Sequence, residues 1–171
     1  MKPLICIVAA ICLRALAFCQ DITGLWQGTL FNDSTKQTLD YEIVITREKG
    51  KLIAFSHTWF VIDNKRYYGV KKLNVRTARD GKIILQDAKL VENNYPVAPL
   101  KDVYQLNILD LASNADEPQL TGRFVTNRTK IYSELTGQVS IKRVSKYGQS
   151  DLLTYLQKNS KETYVDIAVA R

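Results

Sequence analysis

Few side chains in this sequence can carry reactive chemistry. There is one histidine, His57, and there are three cysteines, Cys6, Cys12 and Cys19, all near the start of the chain. A lone histidine in a strand-like stretch has no second imidazole with which to hold zinc. It is more often a surface or satisfied residue than a base. No Gly-x-Ser-x-Gly elbow, Gly-rich phosphate loop or zinc-spaced His pair occurs. An acid–base site would need paired carboxylates or a His-based pair in one cavity, and the strand faces do not assemble one. The reading is therefore a non-enzyme, with no catalytic residue, metal ligand or cofactor expected.

The residues with binding chemistry are charged or aromatic and sit on strands. Asp87 shares a period-2 face with Ile83 and Leu85, and Lys71 shares one with Leu73 and Val75. An Arg79-Asp80-Gly81 turn between the two runs makes them an antiparallel hairpin. It brings positions 71 and 87 within a residue or two of opposite. Two charges inside a barrel must pair; the pair could bind a polar head group or be an internal tie. Of nine tyrosines, Tyr41, Tyr67 and Tyr104 fall on expected inner faces. They suit an apolar wall with a few hydroxyls, although strand propensity alone also places tyrosine there. Leu52–Ile62 is apolar on both faces. Ala54, Ser56, Thr58 and Phe60 suit a cavity lining, and Ile53, Phe55, His57 and Trp59 form an outer row that needs a cover.

These residues are positioned by a succession of short alternating runs. Asp21–Phe31 enters the first through a Gly-marked bend, with Trp26, Gly28 and Leu30 on one face. Leu39–Thr46, Leu52–Ile62, Tyr67–Thr77, Lys82–Val91, Val103–Leu109, Gln119–Val125 and Thr136–Arg143 follow, separated by polar or Gly-containing turns. Eight sequential strands with short connections favour an up-and-down meander, and closing it removes the exposed edges. A two-sheet sandwich is the alternative. After the eighth strand the period changes. Ser150 is placed to cap a short helix from Asp151 to about Asn159, with Leu152, Leu153 and Leu156 as its apolar stripe. That stripe is the natural cover for the outer row of the third strand; otherwise the row is a docking patch for a partner. Tyr164–Ala170 alternates again and reads as a short returning strand.

The first nineteen residues read as a signal peptide. Lys2 supplies the positive end, and Leu4–Phe18 is apolar apart from Arg14, shorter than the about 20 residues of a membrane span. Ala17 and Cys19 suit a cleavage site before Gln20. A lipobox, Leu16-Ala17-Phe18-Cys19, with Cys19 lipidated, is the less favoured alternative, because Phe18 is a poor residue in that place. Residues 20–147 then form the barrel and 148–171 the helix and short strand packed on it. Without cysteines the domain must be held by its core. Once Lys2 and Arg14 are set aside, 22 of the 24 basic residues remain against 17 acidic ones. They are scattered, which suits a solvated surface more than an acidic polymer or anionic membrane, and export argues against nucleic acid.

Gly24-x-Trp26 on the first strand, the eight alternating strands, Arg143 near the end of the eighth and the helix beyond it together resemble the lipocalin-like barrels (calycins). The run from Ser56-His57-Thr58 through Asp63 to Tyr67-Tyr68-Gly69 resembles small exported bacterial proteins of that type. The resemblance implies an all-β, eight-stranded antiparallel barrel whose end is closed by Trp26 with Arg143 stacked on it. It further implies a small apolar or amphipathic ligand. The cavity lining would be Tyr41, Ser56, Thr58, Phe60, Tyr67, Lys71, Asp87 and Tyr104. The second and third lipocalin motifs and the lipocalin disulfide are not found. The alternative is a packed barrel acting as an interaction module at the cell envelope, with an envelope protein as its partner.

Overall fold

The computed structural model describes residues 21–112, 117–144 and 150–159. The expected signal segment and the strand expected over Tyr164–Ala170 lie outside them. Among the described residues eight strands, β1 (Gly24–Asn32), β2 (Thr38–Glu48), β3 (Lys51–Ile62), β4 (Lys65–Thr77), β5 (Ile83–Asn93), β6 (Gln105–Ala112), β7 (Gln119–Thr126) and β8 (Thr136–Val144), precede one helix, α1 (Asp151–Asn159). Each strand pairs antiparallel with the next, and β8 returns to β1 from Leu25↔Val144 to Asn32↔Gly137. The sheet is a closed up-and-down barrel, and the sandwich alternative is excluded. Lys49-Gly50 and Asp63-Asn64 make two-residue hairpins in which both residues have positive φ, the backbone twist that fits tight strand reversal.

One half of the barrel is filled by the inward rows. Trp26, Ile43, Ile45, Ala54, Leu85, Leu109, Leu120 and Ile141 are fully buried there, each large aliphatic side chain contributing roughly 1.5–3 kcal/mol. Trp26 seals this end. Its indole N–H donates to Ile22 O at 3.0 Å, and the Arg143 guanidinium stands 5.1 Å over the ring. Arg143 also donates to Thr23 O at 2.7 Å and to Asp21 O, tying the entering chain to the last strand. Asn74, Arg76, Gln86, Gln138 and Lys142 point outward and are exposed. No helix among the described residues is long and apolar enough to cross a membrane.

The doubly apolar β3 has a second core on its outside. Leu152, Leu153 and Leu156 of α1 pack on Leu25, Val44, Phe55 and Val70, so the helix covers Phe55 as its stripe requires. Nine residues are fewer than the ~12–15 an isolated helix needs, so α1 depends on this docking. Ser150 caps it, its hydroxyl accepting from Leu153 N–H at 3.1 Å. Glu42 of β2 adds a second cap, accepting from Ser150 Oγ and Leu152 N–H, both at 3.0 Å. Trp59 is covered by its own neighbours, with the His57 ring at 3.8 Å and the Arg66 guanidinium at 5.1 Å from its ring.

Two strands depart from the expected pattern. β5 bulges against β4, leaving Ala88 and Val91 without partners, so that Leu90 rather than Lys89 stands opposite Lys71. β6 begins at Gln105 rather than Val103, and its inward row is Gln105, Asn107, Leu109 and Leu111. Tyr104 is therefore not on an inner face. It lies before the strand and is 42% exposed.

Candidate functional site

The barrel wall is incomplete at one seam. β5 and β6 pair only from Ile83↔Leu109 to Gln86↔Leu106, yet β5 runs on to Asn93. Beyond the last pair the strands separate. Asp87, the next residue of β5, spans the start of the gap with its side chain, Oδ2 accepting the Gln105 N–H at 2.9 Å. The same oxygen accepts from Lys71 Nζ at 2.5 Å. The pairing of these two charges follows from the β4–β5 hairpin. Leu73 is opposite Asp87 and Lys71 opposite Leu90, so the pair forms on the diagonal, within reach of a long side chain.

A cavity of about 450 Å³ opens at this seam, at the end of the barrel away from Trp26. That lies within the ~300–1,000 Å³ typical of small-molecule sites. Lys71, Asp87 and Leu90 form one wall, and the β5–β6 connection forms the other through Pro99, Leu100, Val103 and Tyr104. Tyr95, Tyr132, Ala88, Lys89, Lys101 and Asp102 complete the lining. The lining combines an apolar surface, three phenol groups and a charged corner.

Beneath the charged corner a polar network separates the cavity from the packed half. Gln105 Nε2 donates to Asn107 Oδ1 at 2.8 Å. Asn107 Nδ2, fully buried, reaches Tyr41 Oη at 3.4 Å and Leu85 O at 3.5 Å. Burial, with Asp87 nearby, pushes the Tyr41 phenol well above its ordinary range, while bonds from Ser56 and Asn107 act against the shift. Tyr41 therefore remains a neutral phenol. Network polar groups that all have partners rigidify a site at little cost.

Tyr95 closes the barrel mouth. Its ring packs 5.3 Å from that of Phe60, and its hydroxyl end occupies the space beside Gly69, where a Cβ would come within 2.0 Å of it. Burial raises the Tyr95 phenol pKa, and the negative charge of Asp87 adds to that. Of the residues expected to line a cavity, Lys71, Asp87 and Tyr104 do line this one. Tyr41 and Ser56 are buried below it. Thr58, Phe60 and Tyr67 do not line it; Phe60 packs against Tyr67 as well as Tyr95. Tyr95, Tyr132, Leu90 and the Gln105–Asn107 pair were not anticipated. The polar pair on a strand was the available signal.

Exposed apolar side chains gather around this same end. Val61 and Ile62 end β3, Val97 and Leu100 lie on the β5–β6 connection, and Ile131 on the β7–β8 connection; Val97 and Ile131 are 75% and 79% exposed. Among the described residues no group of His, Cys, Asp and Glu could hold a metal ion. Comparison of the chain with protein-family models, with characterised proteins and with solved structures finds no match.

Proposed function

We propose that this chain is an exported, lipocalin-like binding protein that holds a small apolar or amphipathic molecule at the β5–β6 seam. The observation that carries this is the cavity of about 450 Å³ with an apolar wall, three tyrosines and one charged corner. A barrel built only for stability has no use for a seam of unpaired strand beside a half-buried ion pair. The apolar N-terminal run with Lys2 before it supports export. Native mass spectrometry of the protein purified from its own cells, beside a denatured control, tests the reading. A bound mass lost on denaturation is the expected result; an apo mass under gentle conditions, with no small amphiphile taken up on addition, overturns it.

A second reading, an interaction module at the cell envelope, draws on the apolar side chains around the open end. The cover that α1 gives Phe55 removes the other surface on which that reading would rest.

A further inference from the structure

The two members of the charged pair are not equally presented to the cavity. The Asp87 side chain is 6% exposed and that of Lys71 is 29% exposed. Asp87 Oδ2 is also occupied twice, by Lys71 Nζ and by the Gln105 N–H. The carboxylate is thus part of the wall, and the ammonium is the charge a ligand meets. Lys89 and Lys101 also line the cavity, with Asp102 as the other acid, so the lining carries a net positive charge. A cationic head group would have to reach a carboxylate that lies behind a lysine.

Resting on the reading of this cavity as a ligand site, we infer that it selects amphiphiles with an anionic head group, of which a carboxylate is the simplest. The head group is held by Lys71 Nζ, which has three donor N–H groups and gives one to Asp87. The tail lies along Leu90, Leu100 and Val103. The bond to Asp87 holds Lys71 Nζ in place when the site is empty, so the donor is positioned before the ligand arrives. Gln105 N–H and the lysine both donate to Oδ2 of Asp87, which limits the repulsion of an incoming anion by that oxygen.

The test compares three probes of equal chain length on the intact protein by calorimetry: decanoate, decanol and decyltrimethylammonium. Decanoate binds about tenfold or more tighter than decanol, the difference one charge-assisted hydrogen bond makes, and the cation binds weakest. In the double variant Lys71→Met/Asp87→Asn, which leaves no buried charge unpaired, decanoate loses its advantage over decanol. Equal binding of decanoate and decanol, or an advantage that survives in a folded double variant, overturns the head-group inference and leaves the carrier reading standing. No binding of any of the three overturns both. The comparison on the unsubstituted protein decides even where the double variant does not fold.

Discussion

The phenol of Tyr95 occupies the space that a side chain at position 69 would need: a Cβ on Gly69 would fall 2.0 Å from the hydroxyl oxygen and 2.8 Å from the ring carbon that bears it. Gly69 on β4 is thus the socket for the loop that closes the barrel mouth, and only the absence of a side chain lets the ring enter. The exposed Lys101 lies in the same connection.

Gly69→Val should therefore expel Tyr95 and loosen the 94–104 connection. The expected cost is about 1–3 kcal/mol, the range for forcing atoms into a filled site. Tryptic cleavage after Lys101 should become several-fold faster, because proteolysis reports local opening. A cleavage rate equal to that of the parent protein would show that Tyr95 does not anchor the loop.

At the other end, Arg143 combines a cation–π contact with Trp26 and hydrogen bonds to Thr23 O and Asp21 O. Arg143→Ala should lower stability by about 2–4 kcal/mol, from roughly 1 for the ring contact and the rest from unpaired carbonyls. Arg143→Lys keeps the charge but loses the planar guanidinium that stands over Trp26 while one of its nitrogens reaches both oxygens, so it should recover less than half. Trp26→Ala should cost about 3–5 kcal/mol. Urea unfolding gives all three, and an unchanged midpoint for Arg143→Ala would show that this end is closed by the core alone.

Much of this architecture was readable from local periodicity. Trp26 and Arg143 lie on strands whose alternation is clean, and closure of an eight-strand meander brings them opposite each other. Leu152, Leu153 and Leu156 fall at helical spacing beside a strand apolar on both faces, which identifies cover and covered. The site was less readable because its physics is not periodic. On β6 the apolar residues Leu106 and Ile108 alternate with Gln105 and Asn107. A rule that turns the apolar row inward selects the wrong face, and Tyr104 with it. The interior is polar there because Asn107 serves Tyr41. The bulge at Ala88 leaves no mark in the composition, yet it brings Leu90 to the Lys71 side. Tyr95 and Tyr132 reach the cavity from connections whose paths no local pattern sets.

The Glu42 carboxylate holds α1 to the barrel, taking Gln27 Nε2 on one oxygen and Ser150 Oγ with Leu152 N–H on the other. Glu42→Ala leaves buried donors unpaired, at a cost of about 1–3 kcal/mol for each that water cannot reach. The loss should be local. Hydrogen exchange at the Leu152 and Leu153 amides should accelerate tenfold or more while β1 and β8 amides keep their protection. Equal acceleration throughout would mean that the helix and barrel open as one unit.

His57 should make stability depend on pH below neutrality. The residue is 5% exposed on the outer face of β3, its ring lies between Trp59 and Tyr68, and neither ring nitrogen has a hydrogen-bond partner among the described residues. Burial lowers its pKa to about 4; Arg66 of β4 adds to the shift, while Asp151 of α1 and Glu92 of β5 oppose it. The folded protein therefore keeps the imidazole neutral where the unfolded chain, with an ordinary value near 6.5, binds a proton. The unfolded state gains that proton as pH falls from about 6.5 to about 4, so stability declines across this window and the decline ends below it. On the order of 3 kcal/mol is expected, at about 1.4 kcal/mol for each unit between the two values. Urea midpoints of the parent protein and of His57→Gln, measured between pH 7 and pH 4, separate this contribution from that of the carboxylates. The difference between the two should change with pH by that amount, and parallel curves would show that His57 takes up its proton without opening the fold.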